Sequence, residues 1–399
     1  MQKKIVFGAT LLLINLALLE ITSYVVGNWF IPNRLIFNPH FDTETENSKT
    51  ALYELYVKAR NPQTGWPLKM PYQTETAENR WFRFDAAGRR ISPAFSDDTL
   101  TACVSLFGDS FTFSSEVDDE FAWGNRLAEK LDCPVSNYGV GGFGSDQAYI
   151  RYITKNERTP VVFLNHLSEN VMRNVTQFRA LIIGYDNVKG IALPVKPRFY
   201  LDENNQLQLA GLPAIETDDY IDFLYKPEDY LTHEYFLPGG DSGINRLSFP
   251  YTWTLLKLVN HFHIKAILQG KPWYMSFYEE DHKSNGLQIT AGFMLDFIDL
   301  AKERKQAPVI TIIPTGPDLI YFLEHGTWPY QNLIEYLQVR DVKVLNFGTG
   351  LISRIDGRDP CSLFFECNSH FNENGYGYLA EIAYEYIQSE GLLKDPGTG

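Results

Sequence analysis

The chain has 399 residues, of which 44% are hydrophobic, and a formal net charge of −14. This hydrophobic content can bury a large core, which excludes a disordered protein, and the length allows one large domain or two ordinary ones. The strong negative charge argues against nucleic acid as a partner, because such binding needs a basic face.

The amino-terminal segment, residues 1–30, has the pattern of a membrane anchor or a signal segment. Two lysines precede an almost unbroken apolar run over residues 5–19, and apolar residues continue after Glu20. The run approaches the ~20 apolar residues that a bilayer crossing requires. Lysines ahead of it favour a cytoplasmic amino terminus and a periplasmic or extracellular remainder. No small-residue cleavage site stands out, so we favour an uncleaved anchor over a cleaved signal peptide.

The rest of the chain divides into three parts by pattern. Residues 31–101 are rich in turn formers, which predicts an extended approach segment with short strands. Strand and helix patterns alternate over residues 102–390, which predicts an α/β domain with a parallel sheet covered by helices. A stretch at about 177–287, rich in Pro, Asn, Asp and aromatic residues, interrupts this alternation. We interpret it as an insertion, and long insertions usually shape the substrate site.

The predicted elements of the α/β domain follow from residue periodicity. Short apolar runs bounded by turn residues predict strands at 103–107, 134–138, 160–164, 308–313 and 343–347. Helical spacing of apolar residues predicts helices at 121–131, 145–155, 253–263, 289–303, 331–337 and 374–387. A turn signal at residues 202–205 predicts a hairpin within the insertion.

The first apolar strand leads directly into Gly108, Asp109 and Ser110. Gly108 can form a tight turn that presents the serine at the tip of the strand, where α/β hydrolases place a nucleophile. A serine hydroxyl is a weak nucleophile until an imidazole takes its proton. His370, just before the last predicted helix, is the candidate base. The alternative for Ser110 is a helix cap.

With these residues in place, the chain resembles the SGNH/GDSL hydrolase family. Four blocks carry the resemblance, and in chain order they are Gly108-Asp109-Ser110, Asn137-Tyr138-Gly139-Val140-Gly141-Gly142, Glu169-Asn170 and Ser369-His370. The resemblance covers roughly residues 102–170 and 308–387. It implies a flavodoxin-like three-layer sandwich around a central parallel sheet.

The resemblance also implies an oxyanion hole. Gly142, assigned by its spacing within the second block, would donate its backbone amide, and Asn170 would donate its side-chain amide. Together with the Ser110 amide they would hold the negative oxygen of a tetrahedral intermediate. Asn170 has the alternative role of a helix or turn cap.

Three further residues are candidates for substrate binding. Asp109 follows the glycine turn and has turn stabilisation as its alternative role. His166 lies ahead of Asn170 and is a candidate pocket residue. Arg173 either contacts substrate or ties the insertion to the sheet.

The last block departs from the family pattern. The family has an aspartate three residues before the histidine, where this chain has Cys367. A thiol orients an imidazole poorly, so three alternatives remain open. Ser110 and His370 act as a dyad with a backbone carbonyl, or Glu366 completes the catalytic set, or Asp359 does.

The four cysteines allow three pairings, of which Cys103–Cys133 with Cys361–Cys367 suits the local spacing. No C-x-x-C motif and no Cys/His cluster with zinc spacing occurs. The glycine-rich stretch at residues 139–144 imitates a dinucleotide loop but lacks a suitable first strand and ribose-binding acid. We therefore expect neither a cofactor nor a metal.

These features predict a membrane-anchored serine ester hydrolase, and the resemblance to anchored family members implies that it removes O-acyl groups, such as O-acetyl, from glycans outside the cytoplasmic membrane. One alternative is an O-acyltransferase on exported polysaccharide, and the other is an inactive scaffold or glycan-binding protein. The expected partners are an acylated carbohydrate or another ester, the membrane through the amino-terminal helix, and proteins of polysaccharide assembly or export.

Overall fold

The computed structural model describes residues 2–65, 83–85, 87–95, 100–185 and 195–393. Parts of the predicted approach segment and insertion, at 66–82, 86, 96–99 and 186–194, lie outside the described residues. The described strands are β1 (Ile36–Phe37), β2 (Val104–Phe107), β3 (Val135–Asn137), β4 (Val161–Leu167), β5 (Arg198–Leu201), β6 (Leu207–Ala210), β7 (Asn245–Arg246), β8 (Ala307–Ile313) and β9 (Val344–Asn346). The described α-helices are α1 (Gln2–Trp29), α2 (Thr43–Ala59), α3 (Ser110–Phe113), α4 (Trp123–Leu131), α5 (Ser145–Thr154), α6 (Asn170–Arg173), α7 (Ala180–Ile183), α8 (Tyr220–Tyr225), α9 (Tyr251–Lys257), α10 (Phe262–Gln269), α11 (Gly286–Glu303), α12 (Gly316–His325), α13 (Gln331–Gln338), α14 (Phe347–Ile355) and α15 (Glu373–Ser389).

The central sheet contains all five strands expected from the sequence, and they are parallel. Val104 in β2 pairs with Val135 on one side and with Val161 on the other, and β8 and β9 extend the sheet beyond β4. The resulting order is β3-β2-β4-β8-β9. Counted along the chain this is 2-1-3-4-5, the order of flavodoxin-like folds. Every residue of β2 and β4 is buried, which explains why apolar residues predominate in both strands.

Helices cover both faces of this sheet. α4 and α5 connect successive strands in opposite directions along the sheet, and right-handed crossovers therefore place them on opposite faces. α4 packs with α14 and α15 on one face, where Trp123 contacts Phe163 and Phe347. α5 packs with α11 on the other, where Tyr152 contacts Phe107 and Phe297. The predicted three-layer sandwich is confirmed.

The approach segment differs from the extended structure that its turn residues predict. It contains the 17-residue helix α2, whose amino end is capped by the Asp42 side chain accepting from Thr45 N. Two of its tyrosines are buried against the insertion, where the Tyr53 hydroxyl donates to Ile215 O and the Tyr56 hydroxyl to Val195 O. A helix whose buried face consists mainly of tyrosines has a weak apolar periodicity, which is why the sequence pattern missed it.

The insertion contains the predicted hairpin, β5 and β6, but its predicted helix is broken. In place of one helix over residues 253–263, α9 and α10 are separated at His261, whose backbone is extended. The His261 side chain accepts from His263 N and so starts α10 as an N-cap. A histidine in this role gives no breaker signal comparable to Gly or Pro.

Both disulfides that the spacing suggested are present, Cys103–Cys133 and Cys361–Cys367. The amino-terminal helix α1 is long and apolar enough to span a membrane or to act as a signal anchor, and an 18-residue window within it has a mean hydropathy of 2.1. It precedes the folded domain and packs against α9 of the insertion.

Candidate active site

Ser110 lies in a tight strand-turn-helix, as the sequence predicts. β2 ends at Phe107, and Asp109 caps the short helix α3 by accepting from Phe111 N at 2.9 Å. Gly108 is required in this turn, because a Cβ atom there would lie 1.9 Å from the Thr112 hydroxyl oxygen. Ser110 is therefore the first residue of α3, with 8% of its surface exposed.

His370 lies directly against this serine, although 260 residues separate them in sequence. Its Nε2 is 2.8 Å from Ser110 Oγ. The Cys361–Cys367 disulfide closes the loop ahead of the histidine, and the next residue, Phe371, is buried against Phe111. The Phe111 ring also packs on the imidazole, with the ring centroids 4.8 Å apart.

The far side of the imidazole contacts Glu116, a residue that the sequence analysis did not select. Glu116 Oε1 is 3.1 Å from His370 Nδ1. This is ion-pair distance, but the ring N–H does not point squarely at the carboxylate, so the contact is not an aligned hydrogen bond. When Nε2 accepts from Ser110, the proton of the neutral ring is on Nδ1, the ring nitrogen next to Glu116. Ser110, His370 and Glu116 thus form a chain of the kind found in serine hydrolases.

The local backbone and a neighbouring hydroxyl hold Glu116 in place. Glu116 has a φ of 72°, in the left-handed region that a non-glycine residue seldom occupies, and such residues cluster at functional sites. Its other oxygen, Oε2, accepts from Ser369 Oγ at 3.0 Å. The contact with His370 lowers the pKa of Glu116, and the Ser369 hydroxyl adds to this effect. The carboxylate is therefore ionised throughout the neutral pH range.

The alternatives that the sequence left open for this position are corrected by these contacts. Glu366 begins a turn in which its carbonyl accepts from Ser369 N, and its side chain is exposed. Asp359 accepts from Cys361 N at 2.9 Å and caps the short 3₁₀ helix Pro360–Leu363. Within the described residues, Glu116 is the carboxylate within 4.0 Å of His370. The prediction of Glu366 is wrong because the turn directs its side chain to solvent.

Glu116 carried no sequence signal that would have selected it. Four of the five residues 116–120 are acidic, so the composition of the loop does not distinguish one from another. Its left-handed backbone conformation cannot be inferred from the residue type, because glutamate rarely adopts it.

Asp109 and Arg173 connect the blocks to one another instead of facing substrate. Asp109 is 1% exposed, and its Oδ2 accepts from Asn170 Nδ2 at 3.1 Å and lies 3.4 Å from Arg173 Nη1. Arg173 also donates to Phe143 O at 3.1 Å and pairs with Glu169. Burial raises the pKa of Asp109, although Arg173 opposes the shift. Asp109 and Arg173 therefore belong to an internal network of hydrogen bonds and ion pairs, which corrects their prediction as substrate-binding residues.

His166 is likewise internal, which corrects its prediction as a pocket residue. Its Nδ1 is 2.8 Å from Ser145 Oγ and its Nε2 is 2.7 Å from the Tyr278 hydroxyl. Burial lowers the pKa of His166 to about 3, so the ring is neutral. Its strand β4 is buried on both faces, which leaves the side chain no route to solvent.

The three predicted oxyanion donors follow the carboxyl ends of β2, β3 and β4. Val140 N donates to Gly108 O at 3.1 Å, which holds the second block against the serine turn. Gly142 has a φ of 78°, and its N–H and that of Ser110 have no hydrogen-bond acceptor among the described residues. The Asn170 side chain is fully buried and gives Asp109 one of its two amide hydrogens.

A cavity lies at the opposite edge of the sheet from Ser110. It has a volume of about 730 Å³ and is lined by Cys103, Cys133, Pro160 and Ala307, near the amino ends of the strands. Ligands of open α/β sheets bind at the carboxyl ends instead. Within the described residues, no group of three or more His, Cys, Asp or Glu side chains is placed to hold a metal ion.

The strand order and the placement of the four blocks around Ser110 and His370 decide the fold. The chain has the SGNH/GDSL hydrolase fold. No protein-family model matches the chain, and no curated protein matches it. Among solved structures, it is similar to lipolytic proteins of the G-D-S-L family from Desulfitobacterium hafniense DCB-2 and from Veillonella parvula DSM 2008. Each is 13% identical, with 71% of this chain and 97% of the other covered and a TM-score of 0.32. The assignment rests on the SGNH/GDSL strand order and site, not on these superpositions.

Proposed function

We propose that the protein is a serine ester hydrolase. The observation that carries this proposal is the 2.8 Å contact between Ser110 Oγ and His370 Nε2, with Glu116 on the far side of the ring. Ser110 attacks the ester carbonyl while His370 takes the hydroxyl proton and then gives it to the departing alcohol. Water then attacks the acyl-enzyme, and the acid is released. Glu116 orients the imidazole and stabilises the imidazolium that forms.

The negative oxygen of the tetrahedral intermediate needs donors fixed in advance. We assign this role to the N–H groups of Ser110 and Gly142 and to the second amide hydrogen of Asn170. Asp109 accepts the first amide hydrogen of Asn170 and thereby sets the direction of the second. Loss of one such donor typically lowers kcat by about 10²–10³.

The proposed substrate is an O-acylated glycan outside the cytoplasmic membrane. Location outside is supported by α1, by the lysines ahead of its apolar run, and by two disulfides, which form in oxidising compartments. The glycan rests on the resemblance to anchored family members that act on envelope or exported polysaccharides. Phe365, 47% exposed and hydrogen-bonded through its N–H to His370 O, offers a flat apolar surface next to the site.

Of the two alternatives, the scaffold forms no acyl-enzyme, and the acyltransferase differs from this proposal in what happens to the acyl-enzyme. The scaffold alternative gained weight from the missing aspartate before His370 and from the aromatic residues of the insertion, and the carboxylate of Glu116 removes the first of these reasons. An O-acyltransferase would use the same first half-reaction and pass the acyl group to a sugar hydroxyl instead of water.

The test is acetate release from O-acetylated polysaccharides by the full chain in detergent. Ser110→Ala and His370→Ala are expected to lower kcat by on the order of 10⁴ or more. Ser115→Ala, a partly exposed serine in the same loop, is the matched control and should retain activity. Acetate release that survives both substitutions would refute the proposal. Transfer of acetyl to an added oligosaccharide at the expense of acetate release would establish the acyltransferase instead.

A further inference from the structure

The insertion exposes a large apolar surface along α9 and α10. Its members are between 53 and 72% exposed, and they are Phe249, Trp253, Leu256, Val259, Ile267 and Leu268. Trp253 and Leu256 are three residues apart on one side of α9, and Val259 follows after three more residues, in the 3₁₀ turn Leu258–Asn260. Soluble surfaces rarely expose so many large apolar side chains together unless they bind something. We call these six residues the α9–α10 face.

This face begins where the insertion is joined to the membrane-type helix α1. Tyr251 N, at the start of α9, donates to Glu20 Oε2 at 2.6 Å, and the Ser23 and Thr252 hydroxyls are 2.9 Å apart. The rings of Tyr24 and Tyr251 pack with their centroids 5.0 Å apart. α9 is thus held against the carboxyl-terminal third of α1.

The position of these contacts along α1 sets the depth of α9. Glu20 lies fifteen residues after Ile5, where the apolar run begins, which is about 22 Å along a helix. A hydrocarbon core is about 30 Å thick, so the contact between Glu20 and Tyr251 lies inside its outer half. Polar atoms at that depth need partners, and here they satisfy one another. The pairing explains how the apolar helix accommodates Glu20.

Charge gives a second and independent indication. Residues 242–278 contain no Asp or Glu and four Lys or Arg, of which Arg246 pairs with Glu228 and Lys271 lies 3.9 Å from Glu279, in a chain with a net charge of −14. Among the four, Lys257 lies 5.9 Å from the centroid of the Trp253 ring. Basic side chains beside an apolar face suit the headgroup region of an anionic bilayer, where their stems lie among apolar groups and their ammonium groups reach phosphate.

We propose that the α9–α10 face is embedded in the outer leaflet of the membrane next to α1. The occupant of the face is lipid, with acyl chains against the apolar side chains and anionic headgroups against the lysines. The folded domain is then held to the bilayer at two places, which fixes its orientation as a single helix cannot. This proposal requires α1 to span the membrane but does not depend on the esterase activity.

Fluorescence quenching by lipid tests the proposal on the full chain. The protein is reconstituted into vesicles of phosphatidylcholine and phosphatidylglycerol, with bromine on the phosphatidylcholine acyl chains, and tryptophan emission is compared with that in unbrominated vesicles. We expect Trp253→Phe to remove a strongly quenched component of the emission. Trp328→Phe, at a tryptophan that is 5% exposed in the α/β domain, is the matched control and should remove only unquenched emission.

A second variant separates lipid contact from folding. Leu256→Glu combined with Leu268→Glu places two charges on the face at exposed positions, so we expect an unchanged Tm in detergent but loss of Trp253 quenching in vesicles. The proposal is overturned if Trp253 is not quenched in the wild type, or if the two charges leave its quenching unaltered. Absence of quenching in protein that floats with the vesicles would favour the membrane helices of a partner protein as the occupant. Failure of the wild type to float would overturn the membrane span and this proposal with it.

Discussion

Glu116 reaches His370 from the loop that follows the nucleophile, whereas the family pattern places an acidic residue three positions before the histidine. Both arrangements bring a carboxylate to Nδ1, so the chemical requirement is met from a different part of the chain. Position 367 is then free to hold the disulfide that closes the histidine loop. The Ser369 hydroxyl links the two loops by donating to the same carboxylate.

Replacement of Glu116 by Gln should lower kcat by about 10²–10⁴ and leave KM nearly unchanged, because the amide cannot stabilise the imidazolium but leaves the substrate site intact. Steady-state kinetics on a soluble acetyl ester measure this split. Glu366→Gln is the matched control and should behave as the wild type. Equal kinetics for Glu116→Gln and the wild type, or a loss confined to Glu366→Gln, would contradict the role of Glu116.

Whether the role of a single residue could be predicted depends on whether local sequence or tertiary packing determines that role. Ser110 and His370 were predictable, since one stands at the tip of an apolar strand and the other precedes a clear helix. Asp109, His166 and Arg173 have residue types that suit a substrate site, but their burial and internal hydrogen bonds depend on tertiary packing. No sequence pattern expresses that packing.

Among the elements, the central strands were predictable because most of their residues are buried, and a short run rich in apolar residues bounded by turn residues marks each of them. Two helices of the α/β domain, α12 and α14, were missed for local reasons. α12 begins with Gly316 and a proline, which resemble a turn, but Thr315 and Asp318 form a capping box that starts the helix there. α14 contains Gly348 and Gly350, whose positions allow the close approach of Trp328 and Ile382 side chains.

The capping box of α12 also predicts a dependence of stability on pH. Burial raises the pKa of Asp318 to about 6, although Ser168, Tyr274 and Thr315 hydrogen-bond to it. Because the folded pKa lies above the unfolded value, the contribution to stability is complete below the unfolded pKa and is lost as pH rises through about 6. Relative to Asp318→Asn, the wild type should lose up to about 3 kcal/mol of unfolding free energy between about pH 4 and about pH 7. Denaturant titrations of both proteins measure the difference, and a parallel dependence on pH would contradict it.

At the scale of the whole molecule, three parts of the chain depend on one another. The approach helix α2 packs on the insertion through Tyr53 and Tyr56, and the insertion packs on α1 through Tyr251. The sequence indicated an anchor, an approach segment, and an α/β domain with an insertion as separate parts. It could not indicate their mutual contacts, because these involve tyrosines and short polar side chains without a periodic pattern.

The proposed location outside the cytoplasmic membrane predicts the state of the cysteines. Protein isolated from native membranes should contain Cys103–Cys133 and Cys361–Cys367 as disulfides, since both pairs are formed in the folded chain and exported proteins meet an oxidising compartment. Alkylation without reduction, followed by peptide mass spectrometry, should find no modified cysteine. The same chain confined to the cytoplasm by deletion of α1 serves as the comparison and should be alkylated. Extensive alkylation of the membrane form would place the domain in a reducing compartment.

The most direct measurement of the central claim, that His370 activates Ser110, is covalent labelling by a fluorophosphonate. Such probes react with activated serines, so the wild type should gain one adduct by intact mass, and peptide mapping should locate it on Ser110. Ser110→Ala and His370→Ala should gain none, whereas Ser115→Ala should label like the wild type. A wild type that remains unlabelled while folded, or labelling that persists in His370→Ala at the wild-type rate, would contradict the account.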